Sequence, residues 1–259
     1  MSLSWSQGIR DFLGMYGHYK QALEGGIIEL RTGSAPTTAN SAVTGTLLCT
    51  LSKASGTVGK EVLSRCKITF GGSGGSIDAV TVDGEDILGG AVSYDTSLAV
   101  TSVAVAAKIN SYNPPAGKKY RAVGTNGILY LEALPGSGTS PNGRDTTCTP
   151  TTMTCSATSG FGTDVAGVCG SNGLTYGTCA AGIIAKSADV WSGVNVATGV
   201  AGYFRILGSV NDGGTASTTA IRVQGLCGVV SGDYPMTSTT LTSGQTHTID
   251  SFTLTLPAS

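Results

Sequence analysis

The seven cysteines are the residues of this sequence whose chemistry is most open, because cysteine can bind a metal, carry out redox chemistry or form a disulfide bond. The Cys-x-x-Cys spacing that is typical of zinc ribbons and thioredoxin-like centres does not occur. Four cysteines could still converge on zinc in three dimensions, but free thiols or disulfide bonds are favoured. The candidates for disulfide bonds are Cys148, Cys155, Cys169, Cys179, Cys49, Cys66 and Cys227.

The stretch CTPTTMTC places Cys148 and Cys155 seven positions apart in a run of threonines. In one straight strand the two side chains would point to opposite faces, more than about 20 Å apart along the chain. Each cysteine would then bond to a different partner. If the chain folds back at Thr149-Pro150, the two cysteines could pair with each other. Both arrangements favour a disulfide staple over a metal site.

The expected redox state depends on where the chain resides. The N-terminus lacks the basic-then-apolar order of a signal peptide, which predicts free thiols in a reducing cytosol. The alternative is that disulfide bonds form after the protein leaves the cell. The odd number of cysteines then leaves one thiol free or paired between subunits.

Other chemistry-bearing residues are few. His18 lies in a predicted helix and His247 in a predicted strand, and neither belongs to a Ser-His-Asp or Cys-His order. Asp83, Glu85 and Asp86 surround a glycine turn, with a spacing unlike that of an EF-hand loop. We therefore predict no catalytic residues, no metal and no cofactor, and the chain is not expected to be an enzyme.

The composition is typical of an all-β protein with many turns. The chain has 259 residues, of which 12% are charged and 39 are glycine, roughly twice the average glycine content of about 7%. With a net charge of −1 and no dense Lys/Arg run, no nucleic-acid partner is expected. No apolar run approaches the ~20 residues of a membrane span, so no membrane partner is expected either.

The first 24 residues predict an N-terminal helix. Trp5, Ile9, Phe12 and Tyr16 recur at steps of four and three, which places them on one stripe. The stripe would pack either on a sheet of its own domain or on a neighbouring subunit. The four residues are therefore the candidates for an interface.

The rest of the chain predicts strands in two blocks. Strands in 25–70 and 186–259 would form one discontinuous domain, a β-sandwich of jelly-roll type built from the N- and C-terminal parts. The glycine linker GGSGG opens an inserted α+β domain at 71–160, with a helix capped at Thr96/Ser97 and a hairpin through Thr125-Asn126. A loop rich in glycine and cysteine, 161–185, would return to the first domain.

Several of these segments resemble virion structural proteins of tailed bacteriophages. The segment GGIIELRTGSAPTTANSAVTGTLLCTL is similar to a pattern in which a strand, a TG-x-x-P turn and a small-residue loop lead to TGTLL. The C-terminal segments ATGVAGYFRILGSVNDGG and TSTTLTSGQTHTIDSFTLTLP resemble the other half of that pattern. The block containing IDAVTVDGEDILGGAVSY is similar to a small module that recurs as an insertion in such proteins.

The resemblance implies a particle component with no enzymatic chemistry, assembled in the bacterial cytoplasm and located in the virion. It would bind copies of itself, with a trimer favoured, and major capsid or neck/tail proteins. Capsid decoration and a neck or collar position remain alternatives, and a tail-fibre or host-surface glycan-binding module is another. Because a virion leaves the reducing cytosol, some of Cys148, Cys155, Cys169 and Cys179 are expected to cross-link neighbouring subunits.

Overall fold

The computed structural model describes residues 3–157 and 160–255, and the chain separates into two compact units. The first unit is Met1–Glu61 together with Gly170–Ser259, and the second is Val62–Cys169. With 39% of the residues in strands and 11% in helices, the prediction of a mainly β protein is confirmed. None of the helices in the described part of the chain has the length and apolar character needed to cross a bilayer.

The described residues form three helices and nineteen strands. The helices are α1 (Gln7–Met15), α2 (Tyr19–Leu23) and α3 (Leu98–Ser111). The strands up to the middle of the chain are β1 (Ser4–Trp5), β2 (Ile27–Thr32), β3 (Leu47–Leu51), β4 (Arg65–Gly71), β5 (Ser76–Val82), β6 (Glu85–Asp86), β7 (Val92–Ser93), β8 (Tyr120–Thr125) and β9 (Ile128–Ala133). The later strands are β10 (Thr146–Thr151), β11 (Thr154–Ala157), β12 (Ile183–Ala185), β13 (Trp191–Val194), β14 (Gly199–Leu207), β15 (Arg222–Gly228), β16 (Tyr234–Pro235), β17 (Thr240–Leu241), β18 (Thr246–Ile249) and β19 (Thr253–Thr255).

The prediction of one N-terminal helix over residues 1–24 is wrong, because the segment is interrupted twice. Ser6 caps α1, its hydroxyl oxygen accepting a hydrogen bond from the Ile9 N–H at 3.3 Å, so the residues before it pair as β1. Helix α1 ends at Met15 with Tyr16 as its C-cap, and the side chain of His18 caps α2. A side chain on Gly8 would overlap the backbone of residues 219–220, so this glycine permits the close approach of α1.

The main sheet of the first unit joins the two ends of the chain. Its strand order is β1-β15-β14-β2-β3, with every neighbouring pair antiparallel. β14 is central, and Phe204 lies between Leu30 and Gly225 on the flanking strands. Two further antiparallel pairs, β13-β18 and β12-β19, belong to the same unit.

The second unit consists of two four-stranded sheets and α3. One sheet has the order β10-β5-β6 with β7 on β5, and the other has the order β11-β4-β9-β8. Cys66, Ile68 and Phe70 of β4 are buried in the core of this unit, and β4 pairs with β9 along five positions. The predicted boundary at residue 71 was therefore too late, because β4 belongs to this unit. The predicted loop 161–185 is also divided, since 161–169 belong to the second unit and β12 is a strand of the first.

The predicted helix of the second unit is confirmed, with Ser97 as its cap and with Val105 and Ile109 buried. Near its end, Asn110 binds the edge strand β8. The Asn110 side-chain amide donates to the Ala122 carbonyl oxygen and accepts from the Ala122 N–H, both at 2.8 Å. The side chain thus takes the place that a further strand would occupy, which protects the edge from pairing with another chain.

Candidate functional site

Cys148 and Cys155 form a disulfide bond within the chain, with their Cα atoms 6.3 Å apart. Of the two predicted arrangements the structure therefore shows the fold-back, but the turn lies at Thr152-Met153 and not at Thr149-Pro150. Thr152 adopts a positive φ of 66° in this turn. Because the two cysteines bond to each other, Cys169 and Cys179 are the two of the four predicted cross-linking cysteines that stay outside this bond.

The other five cysteines differ in exposure, which their spacing did not reveal. Cys49 and Cys66 are buried, and burial raises the pKa of each thiol to about 11. Burial raises the pKa of Cys227 to about 12. Cys169 and Cys179 are exposed. The three raised pKa values keep these thiols protonated and unreactive at neutral pH.

The four predicted interface residues do not share one environment. Ile9 is 0% exposed and Phe12 is 5% exposed, so both pack within the first unit and cannot anchor a neighbouring subunit. Trp5 and Tyr16 are partly exposed. The Trp5 ring packs edge-on against Tyr19, with the ring centroids 5.1 Å apart. Trp5 and Tyr19 thus form a partly exposed aromatic pair, and Tyr16 is a further partly exposed ring that packs on Phe12.

The acidic turn at 83–86 is explained by bonds within the second unit. Asp83 accepts hydrogen bonds from Arg144 at 2.9 Å and from the N–H of residue 145 at 3.0 Å. Glu85 pairs with Lys119 at 3.3 Å. Asp86 accepts from the backbone N–H groups two and three residues further on. The three carboxylates therefore stabilise a turn, in agreement with the interpretation of these residues as a glycine turn.

His247 takes part in a partly buried hydrogen bond of the first unit. Its Nε2 lies 2.9 Å from the hydroxyl of Tyr234, whose ring packs on Phe204. Burial lowers the pKa of His247 and raises that of Tyr234, so both groups are neutral near pH 7. The neutral imidazole can then accept a hydrogen bond from the Tyr234 hydroxyl.

Two buried arginines hold the loop between β2 and β3, a feature that the sequence reasoning missed. Arg205 of β14 is 0% exposed and Arg222 of β15 is 1% exposed. Arg205 donates to the Ser41 carbonyl oxygen at 3.1 Å and to the Gln224 side-chain oxygen at 2.6 and 3.2 Å. Gln224 in turn donates to the Pro36 carbonyl oxygen at 2.7 Å.

Arg222 binds the same loop and carries its own counter-ion. It forms two hydrogen bonds of 2.6 Å with the carboxylate of Asp212. It also donates to the carbonyl oxygens of Ala39, Asn40 and Ser41 at 3.2–3.4 Å. Burial opposes ionisation of Asp212, but the bonds from Arg222 and a backbone N–H lower its pKa overall. A charged residue inside an apolar strand, as in YFRIL and AIRVQG, is the signal that could have identified both arginines.

Taken together, the described groups form one disulfide bond and a network of hydrogen bonds from buried arginines, and both stabilise the fold. Among residues 3–157 and 160–255, no group of three or more His, Cys, Asp or Glu side chains is placed to hold a metal ion. Comparison of the chain with protein-family models, with curated proteins and with solved structures gave no match.

Proposed function

We propose that this chain is a non-enzymatic structural component of a tailed-phage particle, which associates with copies of itself and binds the capsid or neck surface. The proposal rests on the resemblance of segments at both ends of the chain to one virion-protein pattern. The observation that carries it is that these distant segments form one structural element. β2 from the first half of the pattern pairs with β14 from the second half, between Thr32–Ala201 and Ile27–Leu207.

The small-residue loop of the pattern supports the same interpretation. Arg205 and Arg222, which follow the first half by more than 150 positions, bind the backbone of that loop. Residues from the second half of the pattern thus bind the loop of the first half. This is expected if the two halves belong to a single folded module. Enzymatic chemistry is not needed to account for any of these groups, since each charged side chain in the network has a protein partner.

The first unit is proposed to be a β-sandwich of jelly-roll type. The pair β13-β18 borders β3 at the edge of the main sheet, where Ser192 is bridged to Ser52 and Asn195 to Cys49, so the pair β12-β19 would supply the facing layer. In support, Ile184 and Leu254 on this pair are 1% and 3% exposed, which requires a packed layer over them. An experimental structure showing β12-β19 beside the main sheet, and not across from it, would contradict the sandwich.

The partners are proposed from the same resemblance: a second and third copy of this chain, and a capsid or neck protein. The exposed Cys169 and Cys179 are the cysteines that remain for cross-links between subunits. A non-reducing gel of intact particles tests for these cross-links, because disulfide-linked subunits migrate as multimers and a reductant converts them to monomers.

The decisive experiment is mass spectrometry of peptides from tailed-phage particles that carry this sequence, purified on a density gradient. We expect the chain in the particle fractions at a fixed ratio to the major capsid protein. A ratio near one per capsid subunit favours decoration, and a ratio of a few copies per particle favours the neck or collar. Absence of the chain from the particle fractions would contradict the proposal.

A host-surface or glycan-binding module is the alternative function. Sugar stacking needs aromatic rings gathered in one exposed loop. The tyrosines of the second unit do not follow that pattern, since Tyr120 is buried on β8 and Tyr130 on β9 faces Arg65, 4.9 Å from its ring centroid. Binding of the purified chain to host cells, lost on addition of free surface polysaccharide, would favour the alternative.

A further inference from the structure

The disulfide bond lies at the corner where the chain passes from one sheet of the second unit to the other. β10 and β11 are separated only by residues 152–153, yet β10 pairs with β5 and β11 pairs with β4. β4 and β5 are themselves joined by residues 72–75, so partner strands change sheets together. The Cys148–Cys155 bond therefore connects two different sheets covalently, and it is not a link across one hairpin.

Backbone pairing at this corner is irregular at two points. The ladder between β10 and β5 shifts register between Thr149 and Pro150, and proline has no N–H to donate. The second crossing of this corner, residues 72–75, contains Gly72 and Gly75, both with positive φ. Met153, which is 4% exposed, supplies the packing under the turn. The disulfide bond therefore spans the stretch in which pairing passes from one ladder to the other, since β10 pairs with β5 up to Thr151 and β11 pairs with β4 from Thr154.

Redox chemistry in this core is confined to the one pair. Cys148 and Cys155 are partly exposed, so small thiols can reach them. The third cysteine of the same core, Cys66, is fully buried and lies 3.6 Å from the Thr146 hydroxyl. Because burial raises the pKa of Cys66, it stays a thiol and does not compete in exchange.

We propose that Cys148 and Cys155 form a redox-controlled clamp on the second unit, which opens the corner in the dithiol form and fixes it in the disulfide form. Closure is thiol–disulfide exchange with a small-molecule disulfide. One cysteine thiolate attacks the reagent and releases one thiol, and the second cysteine then attacks the mixed disulfide and releases another. Two protein thiols lose two electrons and two protons, which leave with the reagent as two thiols. The inference is independent of the proposed function.

The clamp is expected to act locally. The bond closes a ring of only the residues from 148 to 155, and short rings restrict the unfolded chain less than long ones do. A change in local opening is therefore a more sensitive readout than a change in the melting temperature of the whole chain. Hydrogen exchange reports such local opening segment by segment.

The test is hydrogen exchange of the full-length chain followed by mass spectrometry. The chain is oxidised with oxidised glutathione in one sample and reduced with dithiothreitol in the other. We expect amides in 148–157 to exchange at least about tenfold faster in the reduced chain, with the hairpin 120–133 unchanged. Cys148→Ser/Cys155→Ser should exchange like the reduced chain under both conditions, and Cys169→Ser should respond like the parent.

Three results would overturn the clamp. Peptide mapping of the oxidised chain could show no peptide linking Cys148 to Cys155. The two redox forms could exchange equally fast in 148–157. The response to dithiothreitol could persist in Cys148→Ser/Cys155→Ser. If that variant does not fold, the comparison of the two redox forms of the parent chain still decides.

Discussion

Arg222 and Asp212 form a two-pronged ion pair almost out of reach of water, with side-chain exposures of 1% and 7% and both N···O distances at 2.6 Å. Arg222 also binds four backbone carbonyl oxygens, of residues 39, 40, 41 and 215. One side chain therefore neutralises a buried carboxylate and fixes the loop between β2 and β3. An apolar side chain could not neutralise Asp212. Lysine could not form both hydrogen bonds in this geometry, because it lacks the planar guanidinium group of arginine.

We expect Arg222→Met to lower the free energy of unfolding of the first unit by about 3–5 kcal/mol, because buried Asp212 would lose the hydrogen-bonded ion pair that Arg222 supplies. Urea unfolding followed by tryptophan fluorescence measures this, since both tryptophans, Trp5 and Trp191, lie in that unit. Lys53→Ala is the control, because Lys53 is 49% exposed and 3.8 Å from Asp189. It should cost less than about 1 kcal/mol. A loss for Arg222→Met as small as that of the control would contradict the prediction.

His247 should make the stability of the first unit fall in mild acid. Burial holds the pKa of His247 below its ordinary value of about 6.5, so near that pH the unfolded chain binds a proton that the folded chain resists. The free energy of unfolding is therefore fully present above about pH 7 and decreases as the pH falls below it, by less than about 1.4 kcal/mol per pH unit.

Urea unfolding at pH 7.5 and at pH 5.5 measures the effect of His247. In His247→Gln the amide oxygen can still accept from Tyr234 but no longer titrates, so the variant should lose part of the decrease. His18→Asn is the matched control, because asparagine also caps a helix and His18 is exposed. Equal pH dependence of the free energy of unfolding in the parent and in His247→Gln would show that His247 does not cause the decrease in stability.

The seven cysteines should divide into three classes in a thiol titration at pH 8. Cys169 and Cys179 should react at once with an aromatic disulfide reagent, because they are exposed. Cys49, Cys66 and Cys227 should react only after unfolding, since burial raises their pKa values to about 11 or 12. Cys148 and Cys155 should need prior reduction. Cys169→Ser/Cys179→Ser should abolish the fast phase, and four or more fast thiols in the native parent would contradict the pairing.

Local features of the fold could be predicted from the sequence because they depend on neighbouring residues. The cap at Ser97 with buried Val105 and Ile109 located α3, and the turn before Gly127 located the hairpin of β8 and β9. The N-terminal stripe was misread, since a period of three and four does not show that Ser6 and His18 cap two separate helices. Side-chain capping decided the outcome there, against the periodicity.

Such local patterns do not predict which distant segments pair with each other. That Cys148 meets Cys155 depends on β10 joining β5 while β11 joins β4, and neither alignment is visible in CTPTTMTC itself. The same holds for Arg205 and Ser41, which are 164 positions apart along the chain. A single sequence indicates that a buried arginine needs acceptors, but it does not indicate which loop provides them.

Phe12 and Tyr16 allow packing and association to be tested separately on one helix end. Phe12 is 5% exposed, so Phe12→Ala should lower the free energy of unfolding by about 3–5 kcal/mol through the cavity that it leaves. Tyr16 is partly exposed, with its ring centroid 6.2 Å from that of Phe12. Tyr16→Ser should therefore cost less stability, and under the proposed function it should weaken self-association.

Native mass spectrometry over a range of protein concentrations separates these two effects. The parent chain is expected to form a trimer, and Phe12→Ala should keep that state at temperatures where it is folded. Tyr16→Ser should shift the distribution toward monomer at the same concentration, because aromatic anchors contribute a large share of interface energy. A trimer unchanged in Tyr16→Ser would place the subunit contact on another surface. A monomeric parent would mean that association requires the particle itself, because a contact too weak in isolation can still form where a lattice fixes the local concentration.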